Sequence, residues 1–299
     1  MRALAAFAMR GRSQAAMVAT TSAIGSLVFL PLAVVSGGTV ALATLRKGET
    51  DGAVVMLVSA LAAAVIVALL LGTPMPAFGY VLGLWLPMVL VGSVLRNTRA
   101  LALGLAAAAG IGLVLIVILR ITVPEEVWFG VLDRTLRAML ESQPGFDPSQ
   151  AEPILRDAAA LMPAAVGAMA TATFAASLLL ARAWQAALYN PGGFADEFRA
   201  LRLGQAFAIA TAAALALAMF VPAPVGLWAR DVVAPLAIVC AIQALAVAHD
   251  MVALRGAGRV WLVLMYIAMA LTLPQSVAVL AVLGIADSFV DLRRRARRT

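Results

Sequence analysis

Ten apolar runs fill most of the 299-residue chain, and they constrain its fold more than any other feature. A helix needs about 20 mostly apolar residues to cross the hydrocarbon core of a bilayer, and several of these runs approach that length. The pattern predicts an all-α, polytopic transmembrane helical bundle with eight to ten passes, of which ten is the preferred number. The runs cover residues 14–30, 32–45, 53–71, 78–95, 100–119, 161–181, 205–221, 232–248, 260–273 and 275–290.

Composition excludes a soluble protein. Hydrophobic residues make up 64% of the chain and charged residues only 12%. Soluble domains are usually about 45–50% apolar and about 25% charged, so too few charges remain here to cover a water-exposed surface. We therefore expect residues 1–299 to form a single integral membrane domain whose surrounding partner is the lipid bilayer.

Two prolines leave the number of passes open. Pro31, together with a Ser-Gly-Gly stretch at 36–38, divides the first long apolar region, and Pro274, together with Gln275, divides the last. Proline lacks a backbone donor and either ends a helix or kinks it. Each proline could mark a turn between two passes or a kink within one.

The distribution of basic residues predicts the orientation. Lysine and arginine accumulate in the cytoplasmic loops of membrane proteins. With the amino terminus inside, 17 of the 22 basic residues fall on the cytoplasmic side. We therefore expect both termini in the cytoplasm, a multi-pass location in a bacterial inner membrane, and no nucleic-acid partner for the formal charge of +7. A basic cytoplasmic tail at 292–299 contains Arg293, Arg294, Arg295, Arg297 and Arg298.

The longest polar stretch, 120–160, carries seven acids and four arginines. Apolar residues recur at three- and four-residue spacing over about 124–141, as in an amphipathic helix. Asp147 followed by Pro148 indicates the start of a second helix. The topology above places this helical pair on the extracytoplasmic side, as a connector lying in the interface or as a lid over a binding cavity.

The predicted cytoplasmic loop, 182–204, contains a turn signal followed by a short amphipathic helix. Proline fixes one dihedral and glycine accepts positive φ, so Asn-Pro-Gly-Gly favours a tight turn. The apolar face that follows, completed by Leu201, needs a partner, either the protein's own helix ends or another subunit. The residues of this candidate interface are Asn190, Pro191, Gly192, Gly193, Phe194 and Phe198.

Two segments carry a family resemblance. Leu-Tyr-Asn-Pro-Gly-Gly-Phe at 188–194 with Glu-Phe-Arg at 197–199, and the closing stretch 284–293, are similar to the proteobacterial branch of the YybS-like predicted inner-membrane proteins. His249, near the end of a late helix, also fits that family. The family is grouped by fold with the substrate-binding components of energy-coupling-factor vitamin transporters. The resemblance implies a helical bundle with a small-molecule cavity open to the outside, but it identifies no ligand.

Polar side chains within or beside the apolar runs are the candidate ligand or coupling residues. A charge at the centre of a membrane helix costs about 2.5–3.5 kcal/mol, so each one is a functional hypothesis. Asp287 could pair with an arginine, cap a helix, or couple protons together with His249. Arg230, beside a helix amino terminus, is the cation best placed for an anionic ligand from outside. The candidates are Asp287, His249, Asp250, Arg230, Gln243 and Gln275.

Small residues line one face of the first apolar run. Ala15, Ala19 and Ala23 are spaced by four, which permits close approach of another helix. By analogy with the vitamin transporters, this would be the docking face for a membrane coupling subunit. Alanine is frequent throughout the chain, so the spacing alone is weak support.

Single counts of three residue types argue against catalysis. Lys47 is the only lysine, His249 the only histidine and Cys240 the only cysteine. A disulfide, a zinc site built from cysteine and histidine, and a glycine-rich phosphate-binding loop around the lysine are all excluded. We expect no enzymatic activity, no metal and no cofactor.

The expected function is therefore binding of a small molecule from the extracytoplasmic side by a transporter-like bundle without its own ATPase. The alternative is a membrane scaffold or assembly factor that recruits partners through its cytoplasmic loop. A closed polar cavity beneath 124–160 favours the first function. A tightly packed bundle with an exposed apolar groove at 190–203 favours the second.

Overall fold

The structure, a computed structural model, describes residues 2–273 and 275–296, and this part of the chain is all-helical, without a β-strand. The all-α fold class is confirmed. A π-helical turn, Val81–Trp85, joins α5 to α6, and a 3-10 turn, Pro148–Gln150, precedes α9. The helices are α1 (Arg2–Ala8), α2 (Arg12–Gly25), α3 (Leu32–Lys47), α4 (Glu49–Leu71), α5 (Met75–Tyr80), α6 (Leu86–Thr98), α7 (Leu101–Thr122), α8 (Glu125–Glu141), α9 (Ala151–Tyr189), α10 (Gly193–Arg199), α11 (Gln205–Phe220), α12 (Val225–Leu254), α13 (Val260–Leu271), α14 (Gln275–Val290) and α15 (Leu292–Ala296).

Within the described residues, five helical segments are long and apolar enough to cross a membrane. The shortest has 22 residues. At about 1.5 Å per residue it measures about 33 Å, against about 30 Å for the hydrocarbon core. These segments indicate a membrane protein. They are Glu49–Leu71, Met75–Thr98, Leu101–Thr122, Pro148–Tyr189 and Val225–Leu254.

The other five predicted runs also form helices, but these helices are short. α2, α3, α11, α13 and α14 contain 12 to 16 residues each. That length corresponds to about 18–24 Å, less than the thickness of the hydrocarbon core. The preferred number of ten full passes is therefore not supported by helix length in the described part of the chain.

Pro31 lies in a turn between two helices. α2 ends at Gly25 and α3 begins at Leu32, directly after the proline. The hydroxyl of Ser36 donates a hydrogen bond to the carbonyl of Ala19 at 2.7 Å, so α3 folds back along α2. The corresponding question at Pro274 lies outside the described residues, as do Arg297 and Arg298 of the predicted tail.

The polar stretch 120–160 forms one amphipathic helix and the beginning of a much longer one. α8 occupies the range where the apolar spacing predicts a helix, and Asp147 caps the next turn by accepting a hydrogen bond from the Ser149 amide at 2.9 Å. The second helix then continues without interruption into the apolar run at 161–181. The expected separate helical pair is therefore α8 and the first turns of α9.

α9 is the central helix of the bundle. It contains 39 residues and packs against α3, α7, α8 and α12. Phe174 and Leu178 on α9 are fully buried, as is Trp85 on the neighbouring π-helical turn. The indole of Trp85 donates to the Ser36 hydroxyl at 2.8 Å, which satisfies the buried ring N–H.

Helices approach closely where they present small residues. A Cβ added at Gly284 on α14 would lie 2.0 Å from the carbonyl oxygen of Cys240 on α12. A Cβ added at Gly112 on α7 would lie 3.0 Å from the carbonyl oxygen of Gly167 on α9. Without a hydrophobic drive between helices in lipid, such close packing supplies much of their attraction. The α12–α14 and α7–α9 contacts therefore depend on glycine.

We expect Gly284→Ala to destabilise the bundle by about 1–3 kcal/mol, because the new methyl group overlaps a backbone oxygen that cannot rotate away. Thermal unfolding of the detergent-solubilised protein measures the effect. Gly110→Ala on α7 is the matched control, since no atom lies within 4 Å of the added Cβ. An equal loss of stability in both variants would contradict the close α12–α14 contact.

Candidate functional site

Asp287 belongs to a buried ion pair. Its Oδ2 atom is 3.0 Å from Nη2 of Arg293, and the two side chains are 1% and 4% exposed. Gln243 donates from Nε2 to the same oxygen at 3.0 Å, and the Leu292 amide donates to Oδ1 at 3.2 Å. Burying two charges is tolerated when they meet each other and further hydrogen bonds complete the site. Asp287 therefore pairs with an arginine, one of the alternatives that the sequence left open.

The same cluster anchors the loop 200–204. Arg293 donates from Nη2 to the carbonyl of Leu201 at 2.6 Å and from Nη1 to the carbonyl of Arg199. The side-chain oxygen of Gln243 accepts a hydrogen bond from the Leu203 amide at 2.8 Å. Gln243, predicted as a ligand or coupling candidate, thus makes its hydrogen bonds with the protein's own groups. We call Asp287, Arg293 and Gln243 the anchor cluster.

A second, more exposed ion pair lies at the edge of the anchor cluster. Arg202 Nη2 is 2.6 Å from Asp291 Oδ1. This hydrogen bond, with a further one from the Arg294 amide, holds the pKa of Asp291 below its usual range. The pair therefore stabilises the fold above the ordinary pKa of an aspartate, and the stabilisation is lost as pH falls through the lowered value. The hydrogen bond to Asp291 raises the pKa of Arg202, and the charges of Asp287 and Asp250 add to this shift.

Arg230 and Asp231 do not form the solvated helix start that adjacent opposite charges usually indicate. Asp231 is buried and accepts two hydrogen bonds from Arg120 on α7, at 2.8 and 2.9 Å. Arg120 also donates to the carbonyl of Ala160 on α9 at 2.8 Å. Arg230 is exposed beside an apolar cavity of about 600 Å³. The sequence analysis identified Arg230, whereas the contact that joins three helices is made by its neighbour.

His249 lies apart from the anchor cluster. Its Nε2 atom is 2.9 Å from the Tyr266 hydroxyl, and its ring packs edge-on against Phe198 at 5.4 Å between centroids. Phe198 in turn stacks on Phe194 at 5.8 Å. No hydrogen bond joins His249 to Asp287 in the described residues, so joint proton coupling by these two residues gains no support.

The apolar face of the loop is partly covered by the protein itself. Leu201 is buried in the main core, and Phe198 packs against that core from its edge. α10 lies against α9 and α12. Of the two partners that the sequence left open, the structure shows the protein's own helix ends.

The turn before α10 has the expected conformation. Gly192 has φ +91° and stands at the amino-terminal boundary of α10, a conformation that glycine adopts without steric cost. The amide of Gly193 donates to the carbonyl of Asn190 at 3.1 Å, across Pro191. Asn190 lines a polar cavity on the Glu197 side of α10. The turn therefore places α10 between that polar cavity and an apolar one.

The apolar cavity is a groove of about 1050 Å³. Its walls come from the start of α3, the middle of α9, and the facing sides of α10, α12 and α13. Aliphatic side chains such as Leu179, Leu180 and Leu262 line its length. Phe194, Phe198 and His249 also line it, together with two arginines, Arg199 and Arg259. We call this cavity the apolar groove.

The remaining candidates do not join either site. Ala15, Ala19 and Ala23 are buried, on a helix that packs against α3 and α4, so the expected docking face for a coupling subunit is occupied by the chain itself. Gln275 is exposed at the start of α14. It precedes Asp287 by twelve residues, which is about 18 Å along a helix.

Neither a metal centre nor a known relative provides a further guide. Among the described residues, no group of three or more histidine, cysteine, aspartate or glutamate side chains is arranged to hold a metal ion. No protein family, no curated protein and no solved structure matches the chain. Function must therefore be argued from the cavities and charges themselves.

We expect Asp287→Asn to destabilise the protein by about 3–5 kcal/mol, because it leaves the Arg293 guanidinium buried without a counter-ion. Thermal unfolding in detergent measures the loss. In the double variant with Arg293→Met, we expect a smaller loss than the sum of the two single variants, since each single change leaves one charge unpaired.

Asp291→Asn is the matched control, because Asp291 also pairs with an arginine but is partly exposed. Only a slight loss is expected there. If Asp287→Asn left the unfolding temperature unchanged while abolishing a transport activity, the anchor role of Asp287 would be refuted and proton coupling favoured.

Proposed function

We propose that this protein is a multipass inner-membrane protein that binds an amphiphilic anion in the apolar groove. The observation that carries the proposal is the combination of a large apolar cavity with two arginines in its lining. An acyl chain matches the aliphatic walls, and an anionic head group matches the arginines. Pockets of about 300–1,000 Å³ are typical of small-molecule sites, and the groove, at about 1050 Å³, lies just above that range.

One of the two arginines that line the groove forms no ion pair in the described residues. Arg259 stands at the amino-terminal boundary of α13 and forms no ion pair in the described residues. Arg199 forms one ion pair, since its Nη2 atom lies 2.5 Å from Oδ1 of Asp196. His249 and Tyr266 add a polar pair beside them. Arginine favours planar anions such as carboxylate and phosphate because its donors form a rigid fork.

The proposed ligand site does not lie beneath the predicted extracytoplasmic insert, 124–160. None of five cavities found in the described residues is lined by residues 124–160. The closed polar cavity that would favour uptake from outside therefore has no counterpart there. The groove instead opens beside the loop 182–204, at the end of the bundle that carries most of the basic residues.

We propose a topology with both termini in the cytoplasm. The basic residues support it, because Arg46, Arg182 and Arg202 all lie at the loop end of the bundle, where the positive-inside rule places the cytoplasm. α2 and α3 form a hairpin of short helices, which returns the chain to the side on which it started. Both termini share one side only if the number of passes is even, so the proposed topology requires α11 to cross the bilayer in addition to the five longer segments.

The resemblance to the YybS-like family also becomes part of the proposal. Its two segments, 188–199 and 284–293, meet in the structure through Arg293, which donates to the carbonyls of Arg199 and Leu201. The two segments that carry the resemblance are therefore in contact. As an extension of that resemblance we propose a transporter-like role that depends on a separate energy source, and we propose no catalytic activity.

The scaffold alternative keeps one of its expected features and lacks another. An apolar groove is lined by Phe194 and Phe198, as that alternative requires, whereas Leu201 is buried in the protein's own core. Ala15, Ala19 and Ala23 are buried as well and offer no second docking face. We favour a small amphiphilic ligand over a recruited subunit because Arg199 and Arg259 add cations to the groove lining.

Filling the groove tests the proposal. Ala183 lines it, and Ala183→Phe places a ring inside, so we expect the affinity for oleate to fall at least about tenfold, or about 1.4 kcal/mol. Native mass spectrometry of the full chain in a neutral detergent measures the bound fraction. Arg259→Gln removes the free cation and is expected to weaken oleate but not an uncharged alkyl alcohol of equal length.

Ala165→Phe is the matched control, because Ala165 lies on the same helix and lines other apolar cavities. Its oleate affinity is expected to match that of the unmodified chain. Equal weakening by Ala165→Phe and Ala183→Phe, or no effect of Arg259→Gln, would overturn the groove as the binding site.

Cysteine labelling tests the topology. Cys240→Ala removes the single cysteine of the chain, which is buried. New single cysteines are then introduced in this variant by Asn190→Cys or Ser142→Cys. We expect a membrane-impermeant maleimide to label position 142 in intact spheroplasts and position 190 only in inside-out vesicles. Labelling of both positions from one side contradicts the proposed orientation.

A further inference from the structure

We propose that a second, polar cavity binds a phosphate group. This cavity of about 770 Å³ lies between the carboxyl ends of α3, α6 and α9 and the Glu197 side of α10. Its charged lining consists of Arg46, Arg96, Arg99, Arg182 and Glu197. We call it the basic basin. It is separate from the apolar groove, so the inference does not depend on the function proposed above.

The basin has an uncompensated positive charge. Four arginines face one glutamate across it. Glu197 forms an ion pair with Arg182, with 2.7 Å between Oε2 and Nη2. Arg46, Arg96 and Arg99 form no ion pair in the described residues. Like charges gathered in one cavity repel one another, so their convergence is stabilised by an anion that is bound among them.

Free donors remain on these guanidinium groups. Arg46 stacks over the ring of Tyr189 at 3.9 Å, which holds its plane while leaving its N–H groups available. Arg96 donates from Nη1 to the carbonyl of Leu45 at 2.7 Å. Arg99 is exposed, and its side chain makes no hydrogen bond with the described residues. Two of the arginines are therefore oriented by the fold, and a third is unrestrained.

The backbone at Arg99 adds an independent observation. Arg99 ends α6 with φ 55° and ψ 21°, in the left-handed region. Glycine is the usual residue at such a helix end, because a Cβ is disfavoured there. Non-glycine residues in this region are found at functional sites, where another interaction compensates for the strain. An arginine at this position of a basic cavity fits an anion-binding role.

Membrane orientation alone does not account for the basin. The positive-inside rule requires basic residues near the cytoplasmic ends of helices, but it does not require them to face one cavity. These arginines come from three helices that are far apart in sequence, at 46, 96–99 and 182. A shared position around one space, with Asn97 and Gln185 also in its lining, is the arrangement of a binding site.

The chemistry of the donors indicates phosphate. Arginine pairs with phosphate through two parallel N–H···O bonds, and several such forks can surround one tetrahedral group. The volume also leaves room for the remainder of a larger molecule. The phosphate could belong to a water-soluble compound or to a phospholipid head group, since both present the same oxygens.

Calorimetric titration of the full chain in a neutral detergent with pyrophosphate tests the proposal. We expect saturable binding that weakens as salt rises. Arg99→Gln is expected to weaken it about tenfold, since one charge-assisted contact is lost. Glu197→Gln is expected to strengthen it, because the competing carboxylate is removed from Arg182.

Two variants separate binding from folding. Arg99→Gly is expected to lose pyrophosphate affinity while keeping or raising the unfolding temperature, because glycine relieves the left-handed position. Arg255→Gln is the matched control, since Arg255 is exposed just after the end of α12 and lies outside the basin lining. Its affinity is expected to be unchanged. Absence of saturable binding, or equal weakening by Arg255→Gln and Arg99→Gln, overturns the proposal.

Nanodiscs distinguish the two sources of phosphate. The full chain is titrated with pyrophosphate in discs of phosphatidylcholine with and without phosphatidic acid. Loss of pyrophosphate binding in discs with phosphatidic acid, together with Arg99-dependent retention of that lipid, assigns the basin to a head group. Persistence of binding in both kinds of disc assigns it to a water-soluble phosphate compound.

Discussion

Ions buried among apolar helices must meet counter-ions, and in this protein that requirement determines how α12 is held. Near the start of α12, Asp231 accepts two hydrogen bonds from Arg120, which also donates to a carbonyl on α9. Near its other end, Gln243 joins the pair formed by Asp287 and Arg293. Hydrophobic attraction does not align helices within lipid, so such polar contacts and close glycine packing define their register. The groove and the basin both depend on helices fixed in this way.

Much of the helical pattern could be predicted from hydrophobicity alone. Each predicted apolar run contains or overlaps a helix, and the amphipathic spacing at 124–141 coincides with α8. Helix length was the weaker inference, because an apolar run does not reveal where a turn begins. The predicted second helix of the insert forms the first turns of α9, because no residue between 151 and 161 ends a helix. Pro153 lies in the first turn of α9, where a backbone N–H would have no partner within the helix, so its missing N–H costs no hydrogen bond.

The candidate sites were harder to predict because they depend on partners distant in sequence. Asp287 and Gln243 were recognisable as polar residues in apolar runs, and an arginine partner for Asp287 was among the alternatives, but nothing distinguished Arg293, which is buried, from the other arginines of the basic tail. Arg120 was counted only as an extracytoplasmic charge, and its partner lies 111 positions away. The basin arginines were interpreted only as markers of orientation. Charge counting records the side of the membrane, but it does not show which charges share a cavity.

α10 forms a wall of both cavities, although it has only seven residues. Glu197 faces the basin, while Phe194, Phe198 and Arg199 line the groove. A ligand that shifts this helix from one side changes the space available on the other. Thermodynamic linkage then requires reciprocity: the factor by which a phosphate alters the affinity for an acyl chain equals the factor by which the acyl chain alters the affinity for phosphate. A polar cavity and an apolar one thus share a wall of less than two turns of helix.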